Sequence, residues 1–317
     1  MSPHEHFDVV IVGAGPAGLS AALILGRCCR KVLLCDRGTP RSWASKSMHG
    51  FIAHDGIPPA EFSDVASKEL HRYPCVSFAP VEVTHAKPEK RGFAVTAGDS
   101  TVHTRKLLIA TGLVDDLPQI EGFKALFGSS VFQCPYCDGW EYRNRPVAVY
   151  GQRHRGFEMA RAITAWSRDI VLCTDGPAYM TADQRHQLAA NDIQVSERRI
   201  RRLQHDGTRL SHIVFDDGTH LSREAIFFDL PSHAQSSLAA QLGCTFTHEG
   251  GVLCNKHEAT NVPGVYVAGN IIRNVQLSIV AAAEGATAAF GINLALTRED
   301  FEGRIGDRSA MTHSASH

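Results

Sequence analysis

Six residues, Gly13-Ala14-Gly15-Pro16-Ala17-Gly18, restrict what this chain can fold into more than anything else in it. They follow an apolar run, Phe7–Val12, and open a stretch of helical composition, Pro16–Gly26. A second apolar run, Lys31–Cys35, then ends at Asp36. Strand, glycine turn, helix, strand and terminal acid are the parts of a βαβ unit that binds a dinucleotide. Gly13 permits the tight turn, Gly15 lets backbone approach a pyrophosphate, and Gly18 lets the helix close on the strand. The helix start around Pro16 and Ala17 offers N–H groups to phosphates, and Asp36 accepts from a ribose hydroxyl.

The 317 residues are enough for two domains, each with its own core. Pro59–Tyr73 is predicted as a helix. Val81–Thr84, Gly92–Ala97 and Thr101–Thr104 are predicted as short strands feeding a further strand at Lys106–Ala110. A second set of alternating segments follows: strand Pro146–Tyr150, helix Gly156–Trp166, strand Ile170–Thr174, a hairpin over Ile200–Phe215, and strand Ala225–Phe228. Gly264–Ala268 and a long alanine-rich helix, Val275–Leu296, complete the first domain. The expectation is an α/β protein with residues 116–246 inserted between 1–115 and 247–317, the chain fraying from Gly303 to His317. No repeat of solenoid period is present.

Lysine plus arginine (32) balances aspartate plus glutamate (33), and no basic run is interleaved with aromatics, so a nucleic-acid partner is not expected. The N-terminus carries no export signal, and the apolar runs Val9–Val12, Lys106–Ala110 and Ile279–Ala283 fall short of the roughly 20 residues a bilayer requires. Nine scattered cysteines in a chain of this size point to a reducing cytoplasm, most of them as small buried hydrophobes. One pair has catalytic spacing: Cys134-Pro135-Tyr136-Cys137, followed by Asp138 and Gly139. Two cysteines so spaced can close a disulfide, and a helix start stabilises a thiolate. A zinc half-site would need a second ligand pair, which the other seven cysteines do not supply. An inert buried pair stays open.

Two later segments, Leu108-Ile109-Ala110-Thr111-Gly112 and Val265-Tyr266-Val267-Ala268-Gly269-Asn270, resemble those that return to the flavin in the two-dinucleotide flavoproteins. The resemblance implies FAD as the bound dinucleotide, with Thr111, Gly112 and Gly269 at its site, Asn270 on the ribityl chain and Gln276 by the isoalloxazine. The family usually has aspartate where this chain has Asn270. The Cys-Pro-Tyr-Cys-Asp-Gly sequence in the inserted domain resembles the low-molecular-weight thioredoxin reductases over nearly the whole chain. By that resemblance Cys137 faces the flavin, Cys134 attacks an external disulfide, and Asp138 gives and takes the proton of the departing thiolate. It also implies a homodimer and a thioredoxin-like protein, or a small disulfide or dithiol, as substrate.

The resemblance breaks at the second nucleotide site. Its glycine turn reads Gly151-Gln152-Arg153-His154-Arg155-Gly156, with Arg153 in place of the second glycine. After the next strand come Cys173-Thr174-Asp175-Gly176-Pro177, without the basic cluster that meets the 2′-phosphate of NADPH. Asp175 would repel that phosphate and at best accept from the free ribose hydroxyl of NADH, so NADPH is disfavoured. NADH, ferredoxin, a second flavin or a dithiol substrate remain as donors, and side-chain phosphate binding by Arg153, His154 and Arg155 stays open. So do a flavin dithiol oxidase using oxygen and a redox sensor that does not turn over. His49, in the loop Ser42–Pro59, is either an acid or base near the flavin or merely solvated. Trp140 and Tyr142 either shield the disulfide or pack the insertion.

Overall fold

The computed structural model describes residues 5–273 and 275–314. The chain divides into two compact units. The first holds residues 1–40, 60–113 and 234–317, and the second holds 41–59 and 114–233.

The first unit is built on β1 (His6–Val12), β2 (Val32–Cys35), β3 (Val76–Ala79), β4 (Val83–Glu89), β5 (Gly92–Ala97) and β6 (Ser100–Ile109). They run in the order β3-β2-β1-β6-β5-β4, and the strand Val265–Val267 also pairs with β6. Pairing is parallel from β3 to β6 and antiparallel through β5 and β4. The ten residues of β6 reach both: Ser100–Thr104 meet β5, and Leu107–Ile109 meet Val265–Val267. The separate strands expected at 101–104 and 106–110 are therefore one. The charged residues at the join are satisfied by distant partners: Lys106 pairs with Glu299, and Arg105 with Asp8, Glu299 and Asp300.

Alternation along β1 splits its apolar side chains between two cores, Val10 and Val12 on one face and Val9 and Ile11 on the other. On the second face lie α1 (Pro16–Arg27) and the last helix, Ser278–Ser314. The helix extends well past the expected Leu296 and continues to Ser314, where fraying from Gly303 was expected; residues 315–317 lie outside the described residues. Over Ser278–Gly303 it is long and apolar enough to cross a membrane by length and composition, although the apolar runs looked too short in sequence. Its Ala288, Ala289, Ile292 and Leu296 are buried with α1.

Residues 234–246, read with the insertion from sequence, belong to the first unit. The reason is burial: Leu238, Ala239, Leu242 and Cys244 pack with Val83, Ala86 and Phe93. The loop 41–59, read with the first domain, belongs to the second unit. There Arg41 donates to Asp115 and Gln133, Lys46 donates to Thr208, and Trp43 lies against Phe127.

The second unit has a five-stranded parallel sheet, in the order Gln194–Ser196, Ile170–Cys173, Val147–Tyr150, Ala225–Phe228 and Val131–Phe132. The expected hairpin is a three-stranded sheet, Ile200–Asp206, Arg209–Phe215 and His220–Ser222. Helix Arg153–Ile163 follows the central strand, so this unit repeats the strand–turn–helix–strand order of the first.

Candidate active site: a dinucleotide cradle and a redox-type disulfide

In the first unit the glycine turn has the geometry its sequence requires. Gly13 sits at φ +104°, and a Cβ there would stand 2.5 Å from the Ala110 carbonyl oxygen. A Cβ on Gly18 would overlap the Gly13 carbonyl, so α1 can lie this close to β1 only with glycine. Gly15 is the opposite case: a Cβ there would meet nothing within 4 Å, because the turn faces an open cleft. Pro16 occupies the first turn of α1, and no side chain caps the helix, so its leading N–H groups are left for a ligand.

Asp36 closes the turn: its carboxylate accepts from the Ala14 N–H at 3.1 Å and from the Gly38 N–H at 3.0 Å. Thr111 and Gly112 follow β6. Gly112 has φ +71° with open space around it, and Thr111 Oγ1 is buried without a hydrogen-bond partner although it borders the cleft. A buried hydroxyl without a partner costs about 1–3 kcal/mol, which a polar ligand in the cleft would recover. Gly269, at φ +79°, donates its N–H to Glu284 and stands against Ala17, which brings the following Asn270 to the same end of the sheet. Gln276 lies two residues ahead of the last helix. Open space at Gly15, uncapped N–H groups and the orphaned Thr111 hydroxyl fit a dinucleotide such as FAD. When bound, FAD supplies a two-electron acceptor and donor. The same cleft is lined by Arg37, Glu82, Gln235 and Ser236, which sequence reading missed. They come from three distant segments, and no motif marks them.

In the second unit Cys134 and Cys137 are joined as a disulfide, Cα to Cα 5.2 Å. Cys134 caps the short helix Pro135–Asp138, its Sγ accepting from the Cys137 N–H at 3.1 Å, with Pro135 in the first helical position where no N–H is needed. Gly139 permits the helix to pack, since a Cβ there would lie 2.8 Å from the Trp166 ring. Burial pushes the Asp138 carboxyl up to about 7, the Glu141 charge adds to the rise, and His49 opposes it. A carboxyl so placed holds a proton near neutral pH. Tyr142 packs on Phe132 and donates to the Ser129 carbonyl, whereas Trp140 is exposed under Arg143. Of the other cysteines, Cys35, Cys173 and Cys244 are buried as expected, but Cys28 and Cys29 are exposed.

The second glycine turn keeps one feature of the first: a Cβ on Gly156 would stand 2.5 Å from the Gly151 carbonyl oxygen. The rest differs. Arg153 adopts φ +57°, its N–H is spent on the Ala178 carbonyl at 2.8 Å, and its guanidinium lies over Tyr179. Gln152 Nε2 donates to the Thr174 carbonyl at 2.7 Å, and Arg155 pairs with Asp229. Strand register also revises one expectation. Val12 pairs with Cys35 as Tyr150 pairs with Cys173, so the counterpart of Asp36 is Thr174 and not Asp175. Thr174 is buried and donates to the Gly176 carbonyl, while the Asp175 carboxylate is turned onto the Ile200 N–H at 2.7 Å. The second turn therefore differs from the first in its backbone at Arg153 and in the residue that takes the place of the acid.

Known proteins resemble this chain over nearly its whole length. A family profile described as "Pyridine nucleotide-disulphide oxidoreductase" matches residues 7–285. A probable thioredoxin reductase of Arthroderma benhamiae is 29% identical, over 97% of this chain and 85% of its own length. The crystal structure of a putative thioredoxin reductase TrxB from Bacillus anthracis superposes with a TM-score of 0.87 at 31% identity, over 93% of this chain and 99% of that one. The crystal structure of HlmI does so at 0.93 and 32%, over 98% and 99%. The chain is an FAD-dependent oxidoreductase and belongs to the pyridine nucleotide-disulphide oxidoreductase family, among its low-molecular-weight thioredoxin reductase-like flavoproteins.

Proposed function

We propose that this flavoprotein is a thiol–disulfide oxidoreductase in which Cys134 and Cys137 exchange electrons with the flavin on one side and with a thioredoxin-like protein or a small dithiol or disulfide on the other. The observation that carries this is the bonded cysteine pair, whose Cys134 caps the helix that starts between the two, with the proton-holding Asp138 next in sequence. In the direction of substrate oxidation, an external thiolate attacks Cys134 Sγ. A mixed disulfide forms, the Cys134–Cys137 bond breaks, and Cys137 leaves with the electron pair. Asp138 protonates the leaving sulfur, and the substrate's second thiolate displaces Cys134 from the mixed disulfide and leaves as the substrate disulfide. Asp138 would take its proton back when the pair closes by giving two electrons to bound FAD.

NADPH is a poor donor in this reading, because the second turn commits the Arg153 N–H, the Gln152 amide and the Asp175 carboxylate to internal partners. That observation also favours a second reading, in which a dithiol substrate supplies the electrons and oxygen takes them from the reduced flavin, leaving as hydrogen peroxide. The seven free thiols support a reducing, cytoplasmic setting.

The test is single substitution of the pair. Cys134→Ser and Cys137→Ser should each lower disulfide exchange by about a thousandfold or more while FAD stays bound, because the nucleophile and its partner act as a unit. Full turnover by both variants would remove the pair from the mechanism. Oxygen uptake with a dithiol in the absence of nucleotide separates the two readings.

A further inference from the structure

Close to Asp138 lies a group of titratable side chains that the exchange chemistry leaves without a role. His49 stands on a loop closed at its base by the Met48–Ile57 bridge and by the Gly56 N–H on the Met48 carbonyl. Asp55 accepts from the Gly50 N–H at 2.8 Å, which fixes its carboxylate across that loop. The His49 ring lies between two carboxylates, with Nδ1 3.4 Å from Asp55 Oδ1 and Nε2 3.7 Å from Glu141 Oε1, and its side chain is 22% exposed. Glu141 follows Asp138 by three residues, about one helical turn along, so its charge acts on the Asp138 carboxyl. Two opposed fields therefore reach Asp138: Glu141 holds the proton on, and His49 in its protonated form draws it off.

We propose that His49 is a positioning residue of the disulfide site, held by Asp55 against the Glu141 carboxylate one turn from Asp138, so that its ring governs proton exchange at the Asp138 carboxyl. This rests on the reading of Cys134, Cys137 and Asp138 as the exchange site. The groups facing the cluster are His49 and Asp55 from the loop and Glu141 and Tyr142 from the segment carrying Asp138. His49 forms no bond to sulfur. Its effect is a field, strongest where burial has removed water from around the carboxyl.

The experiment is the pH–rate profile of thiol–disulfide exchange by the holoenzyme, with Asp138→Asn identifying the inflection that belongs to Asp138. His49→Gln removes a cation and should move that inflection up. Glu141→Gln removes an anion and should move it down. Shifts of about half a unit or more are expected, roughly threefold in the ionised fraction. His49→Lys, which keeps a cation, should return the inflection to the wild-type position or below it, whereas a merely structural histidine would give the same profile for both replacements. Infrared titration of the Asp138 carboxyl, taken as the difference from Asp138→Asn, reads the same shifts without turnover. A His49→Gln profile that superimposes on wild type, or His49 and Glu141 variants shifting in one direction, would overturn the proposal. Loss of the assignment itself, with Asp138→Asn leaving the profile unchanged, would instead overturn the exchange site on which it rests.

Discussion

The two glycine turns of this chain begin alike and are finished differently. Each joins a parallel strand to a helix, and each crosses strand and helix so closely that Gly18 and Gly156 have no room for a Cβ. In the first turn what remains is left to a ligand: space above Gly15, uncapped N–H groups and a buried Thr111 hydroxyl without a partner. In the second the Arg153 N–H, the Gln152 amide and the Arg155 guanidinium are turned onto Ala178, Thr174 and Asp229, although that helix start too has no side-chain cap. The fold needs only the crossing glycine, whereas binding needs donors with nothing else to bond.

The largest effect should come from filling the first cradle. Because a Cβ at Gly15 meets nothing, Gly15→Leu should fold normally yet lose FAD by about a hundredfold or more, since the side chain occupies the space of the pyrophosphate and removes charge-assisted contacts worth about 1.5–3 kcal/mol each. The flavin content of an acid extract reads this. A yellow, stoichiometrically loaded variant would show that the cleft is not the pyrophosphate site.

A smaller effect should follow from relieving the second turn. Arg153 holds a left-handed conformation that costs a side-chain-bearing residue roughly 1–2 kcal/mol, so Arg153→Gly should stabilise the protein by about 1 kcal/mol against denaturant. Nucleotide affinity should rise less than about tenfold, because Thr174 still occupies the position of the acid and Gln152 still bridges the turn. A gain well beyond that would mean that one arginine alone closes the site.

The first cradle was legible in sequence because its requirements are local: a positive φ at Gly13, a contact too close for a Cβ at Gly18, and an acid at the end of the next strand. The disulfide motif was legible for the same reason, since capping, Pro135 and Gly139 all lie within six residues. What sequence did not show depends on distant partners. The expected strands at 101–104 and 106–110 are one, and Arg105 and Lys106 within it meet carboxylates of Glu299, 194 and 193 residues away, and of Asp300. Asp175 looked like the ribose acid until strand register gave that position to Thr174. Gln235, which borders the cleft and donates to Thr39, lies 196 residues from it, with no spacing to mark the pair.

Anaerobic mixing of the oxidised, FAD-loaded protein with NADPH tests most directly the proposal that the first turn takes a dinucleotide and the second does not. The account expects the flavin absorbance to persist at micromolar NADPH and to bleach when a dithiol is added to the same cuvette through Cys134 and Cys137. Rapid and complete bleaching by micromolar NADPH alone would contradict it, and would mean that the internal bonds of Gln152, Arg153 and Asp175 give way to the nucleotide.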